Sequence, residues 1–115
     1  MKREVCFLIG AEDQVLWSDA SESPLALPDS RARWEAIWSR RAELVEICHS
    51  HPLGPEAFSA EDISTMHALD DALGKSVRFS LVTPNQYLVR GDTDNATAAP
   101  EPSWVPALRV ASGIS

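Results

Sequence analysis

Apolar residues occur in short runs along this chain, and the polar stretches between them are rich in turn formers. Val5-Cys6-Phe7-Leu8-Ile9 is an apolar run closed by Gly10, and Val15-Leu16-Trp17 follows across Ala11-Glu12-Asp13-Gln14. Together they predict a β-hairpin. Ser18 to Asp29 holds two prolines, three serines and three acids, which predicts a surface loop. Asp29 or Ser30 can then cap a helix in which Trp34, Ile37, Trp38 and Arg41 recur at three- and four-residue spacing, a stripe expected to face a sheet. Arg31, Arg33, Arg40 and Arg41 are expected on its solvated face.

The pattern turns extended again from Leu44 to His51, and Pro52 stops it because proline has no amide proton for a ladder. Leu53 to Phe58 is a loop containing Gly54 and Pro55. A second helix is predicted from Ser59 through Ile63, Met66, Leu69 and Leu73 to Gly74. Val77 to Val82 and Tyr87 to Arg90 flank Thr83-Pro84-Asn85-Gln86 and predict another hairpin. From Asp92 to Ser103 the composition is that of a linker. Trp104 to Ser115 either docks back through Trp104 and Leu108 or is disordered. The expected layout is a core over residues 1–91, with 92–115 as linker and tail.

Composition narrows the function classes. At 115 residues and 44% hydrophobic, the chain suits one compact domain. A domain of this size buries about two-thirds of the surface its unfolded chain exposes, so it can hold a core without disulfides or structural metal. Any metal would then serve chemistry. The 17 acidic and 10 basic side chains give a net charge of −7, the wrong sign for nucleic acid or an anionic membrane surface. Two cysteines, Cys6 and Cys48, make no disulfide framework and no metal knuckle. Met1-Lys2-Arg3 before Val5 to Ile9 imitates a secretion signal, but Glu4 interrupts it and the run is too short. No stretch reaches spanning length. A cytoplasmic location is expected.

The chemistry-bearing segment is His49-Ser50-His51-Pro52 with Ser59-Ala60-Glu61-Asp62. The period of two in a strand puts His49 and His51 side by side on one face. Asp62, in the first turn of the next helix, can add a third ligand. Nitrogen and oxygen donors without thiolate, with one position left for water, describe a catalytic zinc site. Zinc lowers the pKa of bound water to about 7, and such a site needs a carboxylate base. Each part also has an ordinary reading. Paired strand histidines occur on plain surfaces, and Ser59-x-x-Asp62 before Ile63 is a capping-box-like helix start. Four specified identities at fixed offsets, however, arise by chance roughly once in 160,000 positions on uniform usage, the false-positive estimate any motif requires. Capping is compatible with ligation because it fixes where Asp62 points. His67 lies about 140° around the helix from Asp62 and Glu61 about 100°, so both should turn away. Glu12, in a turn, is a fallback base.

His49-x-His51-x7-Ser59-x2-Asp62 resembles the signature of the JAMM metalloproteases, the MPN-domain family, with the same spacing throughout. Glu4 to Gly10 is similar to the family's first strand, and Glu43 to Pro52 to the strand that carries its histidine pair. The resemblance covers roughly residues 4–90. It implies an α/β fold of the MPN, cytidine deaminase-like type: a single domain with a central mixed β-sheet flanked by helices. It further implies a zinc-dependent peptidase or isopeptidase with one zinc per chain, held by His49, His51 and Asp62. Glu4 would be the catalytic base and Ser59 would help hold the oxyanion. The implied substrate is the C-terminal tail of a ubiquitin-like or sulfur-carrier protein, cut after a Gly-Gly end. The alternative is a non-catalytic MPN scaffold, a form that usually lacks these ligands. If Glu4 faces the metal, Cys6 shares its face while Cys48 points the other way, so the thiols should stay unbonded. Relatives usually carry a helix before the glutamate strand, whereas here Glu4 follows only three residues, which suggests a minimal domain or a partner over that face. Phe58 stands where many relatives have proline. Without long insertions, fine linkage selectivity is not expected.

Overall fold

The two most apolar runs, around Leu8 and Ile47, carry buried side chains on both faces, and strands of that kind belong in the middle of a covered sheet. The computed structural model, which describes residues 1–114, places them there. In chain order the elements are β1 (Val5–Ile9), β2 (Val15–Ala20), α1 (Arg31–Ser39), β3 (Glu46–Ser50), α2 (Ala60–Leu73), β4 (Arg78–Val82), β5 (Tyr87–Arg90), β6 (Ala96–Ala98) and α3 (Val105–Ser112). The sheet order is β2-β1-β3-β4-β5-β6. Only β3 and β4 run parallel, and α2 supplies the crossover that a parallel pair requires. The fold is therefore α/β with a mixed sheet in a single domain.

Strand parity divides the core in two. Cys6, Leu8, Ile47, Phe79 and Leu81 face α1 and α2, meeting Ile37, Met66 and Leu69. Val5, Phe7, Ile9, Cys48 and Tyr87 face the opposite way, against Trp104, Val105 and Leu108 at α3. Cys6 and Cys48 are both free and buried, one in each layer, as strand parity requires.

Several elements differ from the sequence pattern. β2 reaches Ala20, beyond its apolar run, because the backbone pairs with β1 as far as Val5↔Ala20. In α1, which Ser30 caps by accepting the Arg33 N–H at 3.2 Å, Trp34 and Ile37 turn inward but Trp38 is 54% exposed. The Arg41 guanidinium stacks 4.0 Å over the Trp38 ring instead. Arg33 is not solvated: it donates to Asp19 at 3.3 Å and to the Pro28 carbonyl at 2.6 Å.

The linker reading of 92–103 gives way to ordered elements, and residues 104–114 take the docked alternative, with Trp104 and Leu108 buried in the core. Gly91 to Asn95 is a hairpin turn, with the Gly91 N–H donating to the Asn95 carbonyl at 2.7 Å, and β6 pairs with β5. Turn-forming side chains and an unpaired strand edge explain this; composition registers only the first. α3 carries Pro106 in its first turn and is closed by Gly113 in the left-handed region. Trp104 packs edge-on to Tyr87 at 5.8 Å. Among the described residues, no helix is long and apolar enough to cross a membrane.

α3 also secures the start of β1. The Arg3 N–H donates to the Ser112 carbonyl at 3.1 Å. The Ser112 hydroxyl donates to Ser50 Oγ at 2.6 Å, and that oxygen also accepts the Val5 N–H at 2.9 Å. Glu4, between Arg3 and Val5, is held by its own backbone as well: its N–H donates to the Ser23 carbonyl and its carbonyl accepts the Ser21 N–H, both at 2.9 Å.

Candidate metal centre

The extended backbone continues one residue past β3, where the His51 N–H donates to the Val82 carbonyl at 2.9 Å. His49 and His51 consequently share a face, their rings edge to face at 4.9 Å. His51 Nδ1 lies 3.0 Å from the Pro55 carbonyl. A carbonyl can only accept, so Nδ1 carries the proton and Nε2 of the neutral ring presents a bare lone pair. Phe58 packs against the His49 ring at 6.1 Å.

The start of α2 brings the third group. Ser59 Oγ accepts the Asp62 N–H at 3.0 Å, and the Ser59 N–H donates to Asp62 Oδ2 at 2.9 Å. This capping box aims the carboxylate at the histidines. Asp62 Oδ2 lies 3.1 Å from His49 Nε2 and 3.2 Å from His51 Nε2, and the two nitrogens are 3.2 Å apart. Three corners of a zinc tetrahedron with bonds of about 2.0–2.1 Å lie about 3.3–3.4 Å apart. The triangle matches that size, and two imidazoles with one carboxylate are a donor set zinc accepts, so the residues fit the ion.

Glu4 stands one step further out. It is 6% exposed, and its carboxylate lies within 4.8 Å of ligand atoms of both histidines, with which it forms a possible metal-holding group. Asp62 is the carboxylate in contact with both rings, which leaves Glu4 beside the centre. Burial is the largest influence on Glu4 and raises its pKa, partly offset by the histidines. Burial would raise Asp62 too, but hydrogen bonds to His49 and His51 hold it well below the usual carboxylate range. For His51, burial opposes charge, yet its bonds to Asp62 and Pro55 lift its pKa above the ordinary value. The centre thus favours a positive charge.

An open groove of about 480 Å³ runs past Glu4, His51 and Ser59, walled by Leu25 to Pro28 on one side and by Gly54 and Pro55 on another. The remaining sequence candidates lie elsewhere. His67 bonds Asp94 at 2.8 Å, away from the centre. Glu61 is exposed on the groove's rim. Glu12 is exposed in the turn before β2, outside the metal-holding group. Burial pushes the Cys6 thiol up to about 12 and Cys48 well above its usual value, so neither is a ready nucleophile.

Sequence reasoning missed the Pro55 carbonyl that orients His51 and the Ser50–Ser112 contact that anchors β1. A backbone carbonyl leaves no mark in residue type, and Ser112 falls in the segment read as tail. No curated protein matches the chain significantly. The family model for prokaryotic homologs of the JAB domain matches residues 2–106, a span that holds every group of the centre, so the chain belongs to that family.

Proposed function

We propose that the chain is a zinc-dependent peptidase or isopeptidase that cuts the C-terminal tail of a ubiquitin-like or sulfur-carrier protein. The convergence of His49, His51 and Asp62 within 3.1–3.2 Å of one another, beside a buried Glu4, carries this reading. Those three residues would hold the ion. Bound zinc supplies Lewis acidity, which lowers the pKa of water and polarises a carbonyl oxygen.

The chain's own groups supply the proton handling. Glu4 takes a proton from the attacking water as its oxygen bonds to the amide carbon, then delivers that proton to the nitrogen as the C–N bond breaks. A carboxylate raised by burial suits both tasks, because general acid–base catalysis is most effective when the pKa approaches the working pH. Ser59 accepts from the Asp62 amide, which leaves its own O–H free to donate to the developing oxyanion. At about 480 Å³ the groove falls in the size range of ligand clefts. The two unbonded thiols are compatible with a reducing cytoplasm.

The test is cleavage of ubiquitin-like and sulfur-carrier proteins extended beyond their Gly-Gly ends, followed by mass. Zinc-loaded protein should remove the extension, and Glu4→Gln should retain zinc while losing cleavage. A Glu4→Gln variant with normal turnover would move the base elsewhere, and intact substrates throughout would contradict the proposed substrate class.

A further inference from the structure

A second cavity, of about 90 Å³, lies between α1 and α2 on the face of the sheet that carries His49. Its walls are largely apolar, with Trp34 and Ile37 from α1, Met66 and Leu69 from α2, and Ile47 and Phe79 from the sheet. The space is open on one side and not an enclosed void, so a group can enter it from outside. The cavity is not isolated. His49 and Asp62 stand on its wall, and Leu27, Asp29, Asp62 and Thr65 line both it and the open groove. A group that enters from the groove therefore passes directly beside the metal centre.

We propose that this cavity binds an aliphatic side chain of the substrate polypeptide on the leaving side of the scissile amide, in the extension that follows the Gly-Gly end. The inference about substrate rests on the proposed hydrolysis, whereas the cavity's own affinity does not. Its chemistry selects the occupant. The Arg33 guanidinium on its wall is engaged by Asp19 and the Pro28 carbonyl and Asp62 by the two histidines, while Asp29 is exposed to water, so the apolar walls between α1 and α2 hold no unpaired charge for a charged side chain. Size narrows the choice further. An apolar cavity of roughly 150 Å³ takes benzene, so the smaller space here suits a branched aliphatic group such as that of leucine or valine. A glycine would leave it unfilled.

The two methionines provide the probe. Met1 is 86% exposed and Met66, on the cavity wall, is 3% exposed. Methyl-13C-methionine labelling should give one reporter resonance and one internal control. N-acetyl-leucinamide and N-acetylvalinamide are titrated into zinc-loaded and EDTA-treated full-length protein, with N-acetylglycinamide and N-acetyl-lysinamide as comparisons. The Met66 methyl should shift saturably with the aliphatic amides in both preparations while Met1 stays still. Binding of the glycine and lysine amides should be at least tenfold weaker, given how strongly a pocket separates methylene content. Leu69→Phe, which fills the cavity, should abolish the Met66 response. A still Met66 resonance, or an equal response to the glycine amide, would overturn the proposal. The wild-type series decides even if Leu69→Phe fails to fold. Because the EDTA-treated protein needs no zinc and no turnover, failure here is separable from failure of the hydrolase reading.

Discussion

Replacing Ser50 by alanine should cost far more than a hydroxyl on a histidine-bearing strand suggests. Ser50 is completely buried, and its Oγ accepts from both the Val5 N–H and the Ser112 hydroxyl. Alanine leaves two buried donors without an acceptor, each costing about 1–3 kcal/mol. The Ser112 hydroxyl can rotate and recover part of its share, so the sum should be about 2–4 kcal/mol, a large fraction of the roughly 5–15 kcal/mol that holds a domain folded. Ser112→Ala keeps the Val5–Ser50 bond and should cost only about 1 kcal/mol, the ordinary net value of one hydrogen bond. Urea unfolding measures both costs, with m expected to stay constant if only stability changes. The double variant should cost less than the sum, because the two residues share one contact. Hydrogen exchange should show local loss of protection at the Val5 amide in Ser50→Ala, while the Glu4 amide, which donates to the Ser23 carbonyl, keeps its own. If Ser50→Ala unfolds within about 0.5 kcal/mol of wild type, the usual range for an unimportant surface change, and Val5 stays protected, the argument that α3 anchors the start of β1 through Ser50 is refuted.

Ser59→Ala removes the cap acceptor but keeps the backbone bond to Asp62 Oδ2, so it should lower stability by about 1 kcal/mol while zinc stoichiometry is retained. Turnover per folded molecule should fall about a hundredfold or more; wild-type turnover in a folded variant would remove Ser59 from the chemistry. The single tyrosine, Tyr87, is buried and bonds Glu46 at 2.6 Å. Burial, with Glu46 adding to it, pushes its pKa well above the usual value. A raised folded-state pKa gives stability that is complete below the unfolded value of about 10 and is lost as pH climbs through the folded one. Absorbance at 295 nm should therefore report phenolate only as the fold opens in alkali, and phenolate near pH 10 in folded protein would contradict the buried contact.

What the sequence made legible was local. The period of two placed His49 and His51 on one face, and Ser59-x-x-Asp62 is both the cap and the device that points the carboxylate, because all its bonds span three residues. Strand parity separated the two thiols correctly. Glu4 became a candidate only through family resemblance, since its approach to His49 and His51 depends on β1 pairing with β3 across more than forty residues. The stripe on α1 misled at Trp38 because periodicity sets which residues share a face and not how wide the buried arc is; Arg41 covers the remainder. Residues 92–103 read as a linker because the free edge of β5 is a tertiary fact. The cavity beside His49 had no sequence signature, being assembled from two helices, three strands and two loops.

Zinc content tests the central claim most directly. Full-length protein dialysed against excess zinc and then against buffer should retain about one ion per chain by elemental analysis, and His51→Ala and Asp62→Ala should each lose it while keeping wild-type circular dichroism. A folded wild-type protein that retains no zinc, or a His51→Ala variant that still binds it stoichiometrically, would contradict the account.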